Sequence, residues 1–286
     1  MTGFRTRFAP SPTGPLHLGH AFSALCADQM ARAAGGSFLL RIEDIDTARA
    51  RPEWEVQIYE DLGWLGLEWP VPVLRQSAGL ARYGAALDRL WAQGLLYVCH
   101  CNRKDIAAAA TAPQEGGAPL IGPDGIVYPG TCRQPAKGPR PDGAALRLNM
   151  VRALKVLNVV QRPLGFYEKL HSPGYHRIDP THLVENVGDV VLARREIGTS
   201  YHLSAVVDDA GQGITDVVRG ADLFDATPIH RVLQALLGLP TPVYHHHRLI
   251  RDQQGKRLAK RDDARALARY RAEGATAADI RALLGM

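Results

Sequence analysis

The chain has 286 residues, 46% of them apolar and 22% charged, with 34 Lys and Arg against 29 Asp and Glu for a formal net charge of +5. That length can bury a sizeable core in one large or two small domains, and that balance excludes wholesale disorder. No stretch approaches the roughly 20 apolar residues of a membrane span, so the cytoplasm is the expected location; the basic excess suits a polyanionic partner such as RNA without requiring one.

Residues 5–20, RTRFAPSPTGPLHLGH, read as a strand, a tight loop and a helix start. Arg7, Phe8 and Ala9 close an apolar-leaning run, Pro10, Pro12, Gly14 and Pro15 stiffen the turn, and HLGHAFSALCADQMARAA continues as a helix. Such a junction aims backbone N–H groups and the positive end of the helix dipole at one point, where anions bind. His17 and His20 flank Gly19 there, and Gly19, lacking a side chain, lets a flat ring or a phosphate approach the backbone; a nucleoside triphosphate is the expected ligand. Gly35 and Gly36 stop the helix, and SFLLRIEDID follows as a strand ending in acidic residues. Strand, helix and strand make a βαβ unit, whose two strands run parallel with their carboxyl ends at the edge where open α/β sheets bind ligands. Glu43 then falls near Arg7 and the HLGH turn, placed to receive a substrate ammonium. Residues 52–62 and 80–93 carry apolar side chains at helical spacing and are expected to pack on the core.

From Asn102 to Gly143 the composition shifts to Gly, Pro and Ala with little periodicity, which reads as an insertion. Cys99 and Cys101 stand at its entrance, with Tyr128 and Cys132 inside it. A loop-rich segment short of apolar mass often needs a metal. Cysteines one residue apart cannot readily bond to each other, but both thiolates can face one zinc; Cys132 supplies a third sulfur, and Tyr128 and His100 are the candidates for a fourth ligand. Cys26 reads as a small core residue of the first helix.

Residues 144–193 are the least legible. AALRLNM and GDVVLARR look like strands, whereas residues 157–186 between them have no clear period and suit an acceptor-stem-binding insertion or a cover for the sheet. SYHLSAVVDDA reads as a helix and ITDVVRG as a buried strand, giving a second half of the sheet; Arg219, ending that strand, would emerge at the binding edge, where a guanidinium pairs a carboxylate bidentately. A further helix opens after Asp225 and closes at Gly238. His245, His246 and His247 diverge along a strand with no carboxylate cluster expected nearby, and read as solvated or core histidines. KRLAK at 256–260 is a basic loop, and residues 261–286 form a helical tail with a second helix capped near Thr276.

HLGH resembles the HIGH signature of class I aminoacyl-tRNA synthetases, and RFAPSPTGPLHLGH together with RIEDID at 41–46 is similar to the glutamyl branch. The resemblance implies an α/β fold: the Rossmann-like parallel sheet of that class with a zinc-containing insertion and a short helical C-terminal tail. The expected division is a first half of the catalytic domain at 1–101, an insertion with the zinc site and an RNA-contacting region at 102–189, a second half at 190–244, and a KMSKS-like loop with the tail at 245–286. KRLAK stands where the class has its mobile KMSKS loop, keeping Lys256 and Lys260 but replacing Met or Leu by Arg257 and the serine by Ala259, whose missing hydroxyl implies lower activity. CxC followed by YxxxC resembles the zinc site of glutamyl-queuosine tRNA(Asp) synthetases, which makes Tyr128 the fourth ligand of one structural zinc per chain.

The same resemblance assigns glutamate to Arg7, Ala9, Ser11, Glu43, Tyr201 and Arg219. It assigns ATP, arriving with magnesium, to His17, Gly19, His20, Lys256 and Lys260, of which His17, His20 and Lys260 are the catalytic set. No helical anticodon-binding domain or β-barrel pair follows in this chain, and with the cysteine pattern this favours the queuosine branch. The expected activity is glutamate activation to glutamyl-adenylate and transfer to queuosine of tRNA(Asp), by a monomer with no membrane contact. A stand-alone glutamyl-tRNA synthetase charging tRNA(Glu) and a non-catalytic tRNA-binding paralogue remain open. A small-molecule nucleotidylyltransferase shares HxGH but leaves RFAPSPTG and the cysteines unexplained.

Overall fold

The computed structural model describes residues 3–111, 118–135, 137–251 and 265–286; KRLAK, with Lys256 and Lys260, lies outside the described residues. Strand β1 (Arg5–Phe8) leads through the proline-rich turn into helix α1 (Leu18–Ala33), and β2 (Ser37–Ile42) returns parallel to β1 with Arg7 opposite Leu39. The double glycine has two distinct jobs. Gly35 takes the left-handed conformation at φ +59° that ends α1, while a Cβ on Gly36 would collide with the Phe4 carbonyl. Helix α2 (Pro52–Trp64) opens on a proline with Glu53 and Glu55 in its first turn, followed by β3 (Leu74–Arg75), α3 (Leu80–Ala92) and β4 (Leu96–Val98).

The insertion contains more structure than its composition suggested. Arg103–Thr111 form helix α4, because the Asn102 carboxamide accepts the N–H groups of Lys104 and Asp105 while the Asp105 carboxylate accepts the Asn102 N–H, and an alanine run follows this cap. β5 (Ile121–Gly122) and β6 (Gly125–Ile126) make a small hairpin. Next come β7 (Leu146–Leu148), α5 (Met150–Val156), β8 (Gly165–Glu168), β9 (Gly174–Arg177) and a short α6 (Pro180–His182) running into a π-helical turn, then β10 (Val191–Ala193). The chain continues with α7 (Tyr201–Gly211), β11 (Asp216–Gly220), α8 (Thr227–Leu237), β12 (Val243–His247), α9 (Leu267–Ala272) and α10 (Ala277–Leu284).

Two sheet segments, β3-β2-β1 and β11-β12-β8-β9, meet side by side: the Thr215 N–H donates to the Arg5 carbonyl at 3.0 Å and the Arg5 N–H to Thr215 Oγ1 at 2.8 Å. The pairings β1–β2, β2–β3, β11–β12 and β12–β8 are all parallel. Winding reverses between β1 and β11, which makes the crevice at their carboxyl ends the switch point of the sheet. β8 belongs to this sheet although it comes from within residues 102–189; its four residues alternate buried Phe166 and Glu168 with exposed Tyr167, and a buried carboxylate hid the strand from an apolar pattern. β10, β7 and β4 form a separate antiparallel sheet.

One apolar cluster joins α3, α5, α7 and α8 through side chains such as Tyr83, Leu90, Leu154, Leu203 and Leu233. A second packs α1 and α2 on β1 and β2 and takes Ile280 and Leu284 from α10, which starts on a Thr276–Asp279 capping box. The reading of the three β12 histidines as solvated or core holds, but the expectation that no carboxylates stand nearby does not. All are buried, and carboxylates do stand beside two of them: His245 Nε2 lies 2.8 Å from Asp216 Oδ1 and His246 Nδ1 2.5 Å from Glu168 Oε2. Asp216 and Glu168 come from neighbouring strands, a proximity that only the strand order reveals.

Candidate active site

A cavity of about 660 Å³ opens at the carboxyl ends of β1 and β11. Arg7, Ala9, Ser11, His17, Gly19, His20, Glu43, Tyr201 and Arg219 all line it, so five separate stretches of chain deliver every expected substrate-binding residue within the described part to one space. Lys256 and Lys260 are outside that part.

The two histidines are fixed by the helix they introduce. His17 is the N-cap of α1: its Nδ1 accepts the Gly19 N–H at 3.1 Å, and His20 Nδ1 accepts the His17 N–H at 3.2 Å, a capping box made of imidazoles. An Nδ1 that accepts a backbone hydrogen must carry the neutral ring's proton on Nε2, which fixes the tautomer of both rings. The rings sit 3.8 Å apart, centroid to centroid. A Cβ on Gly19 would lie 3.0 Å from the His17 ring, so the glycine makes room for the cap as well as for a ligand.

Opposite them lies a buried charge network. Arg7 forks onto Asp209 with Nε at 2.8 Å and Nη2 at 3.2 Å, and Arg41 reaches Asp209 at 2.7 Å and Glu43 at 3.3 Å. Burial pushes the Asp209 carboxyl up, but Arg7 and Arg41 more than offset this and leave it at about 2. Burial dominates at Glu43, whose carboxyl is raised against the pull of Arg41 and Arg7. Arg41 and Asp209 escaped the sequence reading of the site. Their signal was charge set in an apolar stretch, Arg41 in SFLLRI and Asp209, beside Asp208, in SAVVDDA, because such a charge is buried only when paired.

Arg219 has a different environment. Its Nε donates to His246 Nε2 at 3.0 Å, one Nη1 hydrogen to His230 Nδ1 at 3.1 Å, and Nη2 to Thr227 Oγ1 at 2.8 Å and the Leu223 carbonyl at 3.2 Å. Four of five N–H groups are thereby used, leaving one on Nη1 without an acceptor among the described residues. The bidentate fork expected of Arg219 is therefore not on offer in this arrangement; Arg219 presents its charge and one hydrogen. Burial, with Arg219 beside them, lowers both histidines: His246 to about 4 and His230 well below its ordinary value. Burial also raises the Tyr201 phenol that shares the pocket.

Away from the cavity, the sulfurs of Cys99, Cys101 and Cys132 lie within 4.8 Å of one another, the only such group of potential metal ligands among the described residues. The buried Tyr128 hydroxyl is 3.4 Å from Cys101 Sγ and accepts the Cys132 N–H at 2.9 Å, whereas His100 is exposed. Arg147 donates to Cys99 Sγ at 3.3 Å and stacks 4.0 Å over the Tyr128 ring, a cation placed to offset thiolate charge. Three sulfurs within 4.8 Å of one another, with the Tyr128 oxygen beside them, make a donor set that fits a metal ion.

A family profile described as "tRNA synthetases class I (E and Q), catalytic domain" matches residues 3–119 and 174–285. The chain is 63% identical to a glutamyl-Q tRNA(Asp) synthetase of Rhodobacter capsulatus over 98% of its own length and 99% of that protein. It is 44% identical to a glutamyl-Q tRNA(Asp) synthetase of Geobacter sulfurreducens over 92% of its length and 77% of the relative. Among solved structures, a glutamate tRNA ligase of Elizabethkingia meningosepticum in complex with its amino acid superposes with a TM-score of 0.69 at 27% identity, over 91% of this chain. The chain spans about half of that ligase, 52% of its length.

Proposed function

The chain belongs to the class I tRNA synthetases (E and Q), and within them to the glutamyl-Q tRNA(Asp) synthetases, and from that premise we propose that it activates glutamate with ATP and transfers it to queuosine in the anticodon of tRNA(Asp). The observation that carries this reading is one cavity at the sheet's switch point that combines a histidine-capped helix start with an arginine held by neutral acceptors.

Two steps follow from the arrangement. A glutamate α-carboxylate oxygen attacks the α-phosphorus of ATP, and the bond to the β-phosphate breaks, releasing pyrophosphate; a hydroxyl of the queuosine cyclopentenediol then attacks the acyl carbon and AMP leaves as the ester forms. Neither step needs a covalent enzyme intermediate, so orientation and electrostatics carry the rate. His17 and His20 donate from Nε2 to the phosphates beside the α1 N-terminus, and Lys260 meets the departing pyrophosphate. Arg219 takes the side-chain carboxylate. Glu43 receives the ammonium, while Arg7, Ala9, Ser11 and Tyr201 complete the amino-acid pocket. Magnesium arriving with ATP offsets phosphate charge. Cys99, Cys101, Cys132 and Tyr128 would hold a zinc ion that ties the insertion together and takes no part in the chemistry.

The deciding experiment is transfer of radiolabelled glutamate to tRNA(Asp) with and without queuosine, alongside tRNA(Glu). Label on queuosine-containing tRNA(Asp) alone is expected. Label on the terminal adenosine of tRNA(Glu) would replace this reading with a short glutamyl-tRNA synthetase, and tRNA binding without pyrophosphate exchange would leave a non-catalytic paralogue.

A further inference from the structure

The acceptors around Arg219 are joined into a line with a fixed direction. A guanidinium only donates, so His230 Nδ1 must be a lone pair, and the proton of that neutral ring sits on Nε2. His230 Nε2 lies 3.1 Å from His202 Nδ1, which therefore accepts, and His202 Nε2 lies 3.3 Å from Asp124 Oδ1. On the other side His246 accepts from Arg219 at Nε2 and donates from Nδ1 to Glu168. Each line ends on a carboxylate, but Glu168 is one imidazole away from Arg219 and Asp124 two. Arg7 and Arg41, by contrast, touch Asp209 directly. His202 and His230 are both buried, and Asp124 belongs to the tight turn between β5 and β6 of the insertion.

We propose that His230, backed by His202 and Asp124, is a positioning and specificity residue: it holds the Arg219 guanidinium with a neutral lone pair, so that the full positive charge remains for an acidic substrate side chain. A carboxylate at the same place would hold Arg219 equally well but cancel its charge, and an apolar residue would preserve the charge but release the guanidinium. Imidazole does neither. The line also ties the amino-acid pocket to the insertion, since its last member stands on the β5–β6 turn. The inference rests on the reading that Arg219 meets the side chain of glutamate.

The test is amino-acid-dependent ATP–pyrophosphate exchange with glutamate and with glutamine, on the full chain and on His230→Leu, His230→Gln and His230→Asp. His230→Leu is expected to raise the glutamate KM about ten- to hundredfold with kcat within about threefold, the loss of one charge-assisted hydrogen bond. His230→Gln, which offers one acceptor and one donor without charge, should return KM to within about threefold of wild type. His230→Asp should cut the preference for glutamate over glutamine about tenfold or more, which loss of packing alone would not do. An unchanged preference in His230→Asp, a His230→Gln as impaired as His230→Leu, or a fall in kcat at constant KM overturns the proposal. Should His230→Leu fail to fold, the Gln and Asp pair decides. Wild-type protein that shows no glutamate-dependent exchange would overturn the functional reading itself before any variant is compared.

Discussion

Arg41, fully buried on β2, holds Asp209 of α7 at 2.7 Å and thereby pins the second half of the sheet to the first. A buried pair of this kind is costly to break from one side, because the partner left behind is an unpaired charge. Arg41→Met and Asp209→Asn should each lower the unfolding free energy in urea by about 3–5 kcal/mol, while the double variant loses clearly less than their sum. The pH dependence follows from the low carboxyl of Asp209. Its folded value of about 2 lies below the ordinary 3.8, so its stabilisation, about 2 kcal/mol, is fully present above pH 4 and lost as pH falls towards 2. In Asp209→Asn that acid step should vanish from a stability profile.

His17 has a structural role and a proposed chemical one, and the two can be separated. Asn is as good an N-cap acceptor as any residue but cannot place an imidazole Nε2–H at the phosphates. His17→Asn should keep its thermal midpoint close to wild type while pyrophosphate exchange slows about a hundredfold. His17→Ala should lose about 1 kcal/mol of stability as well. A His17→Asn enzyme with full activity would remove His17 from the chemistry and leave it a cap.

His246 titrates in the opposite sense from a histidine that gains a carboxylate at the surface. Burial, reinforced by Arg219, lowers it from 6.5 to about 4 despite Glu168, so the unfolded chain binds the extra proton first. Stability is complete above about pH 6.5 and falls by about 3 kcal/mol as pH drops towards 4. His230 and His247 are lowered too and add to the same slope. His246→Gln should therefore flatten the profile between pH 6.5 and 4 only in part. An unchanged slope would mean that His246 does not titrate with the fold.

Much of this architecture was legible because local chemistry and tertiary role coincide. The Gly35–Gly36 stop, the Pro52 start and the Thr276 cap are short-range devices that read the same in sequence and in space. The parallel pairing of β1 with β2 follows from one βαβ unit, and with it the meeting of Arg7, His17 and Glu43. What escaped depends on partners far along the chain. Arg41 meets Asp209 across 168 residues, and His246 meets Glu168 across 78. β8 escaped because four residues with a buried carboxylate carry no apolar pattern, and α4 because an alanine run with one good cap resembles low-complexity filler.

The cysteine cluster makes a prediction in which the metal itself is counted. Three sulfurs beside Arg147, with the Tyr128 oxygen on the fourth side, are suited to a tetrahedral ion. Protein prepared without chelator should contain about one zinc per chain, and Cys132→Ser should contain almost none. Its thermal midpoint should fall by several degrees, and chelation of the wild-type protein should reproduce that fall. Zinc retained by Cys132→Ser would show that the ligands lie elsewhere, and a chelator with no effect on either readout would leave a cluster of thiols.

Recognition of RNA and activation of the amino acid should respond differently to salt. Phosphate contacts release condensed counterions, so even three or four of them give a log–log slope of about −3 for binding to a tRNA. The guanidinium contacts at the cavity wall, Arg7 to Asp209 at 2.8 Å and Arg219 to His246 at 3.0 Å, are buried and far shorter than the Debye length of about 8 Å at 0.15 M, so ions screen them poorly. Transfer of glutamate to queuosine-containing tRNA(Asp) at subsaturating RNA should fall at least about tenfold between 50 and 200 mM KCl, while pyrophosphate exchange changes less than about threefold. The net charge of +5 alone does not distinguish these cases, since many basic proteins bind no RNA. Transfer that ignores salt would remove the electrostatic RNA surface. A parallel collapse of both activities would instead place the salt-sensitive step at the nucleotide, where the lysines of KRLAK rather than the buried network would set the rate.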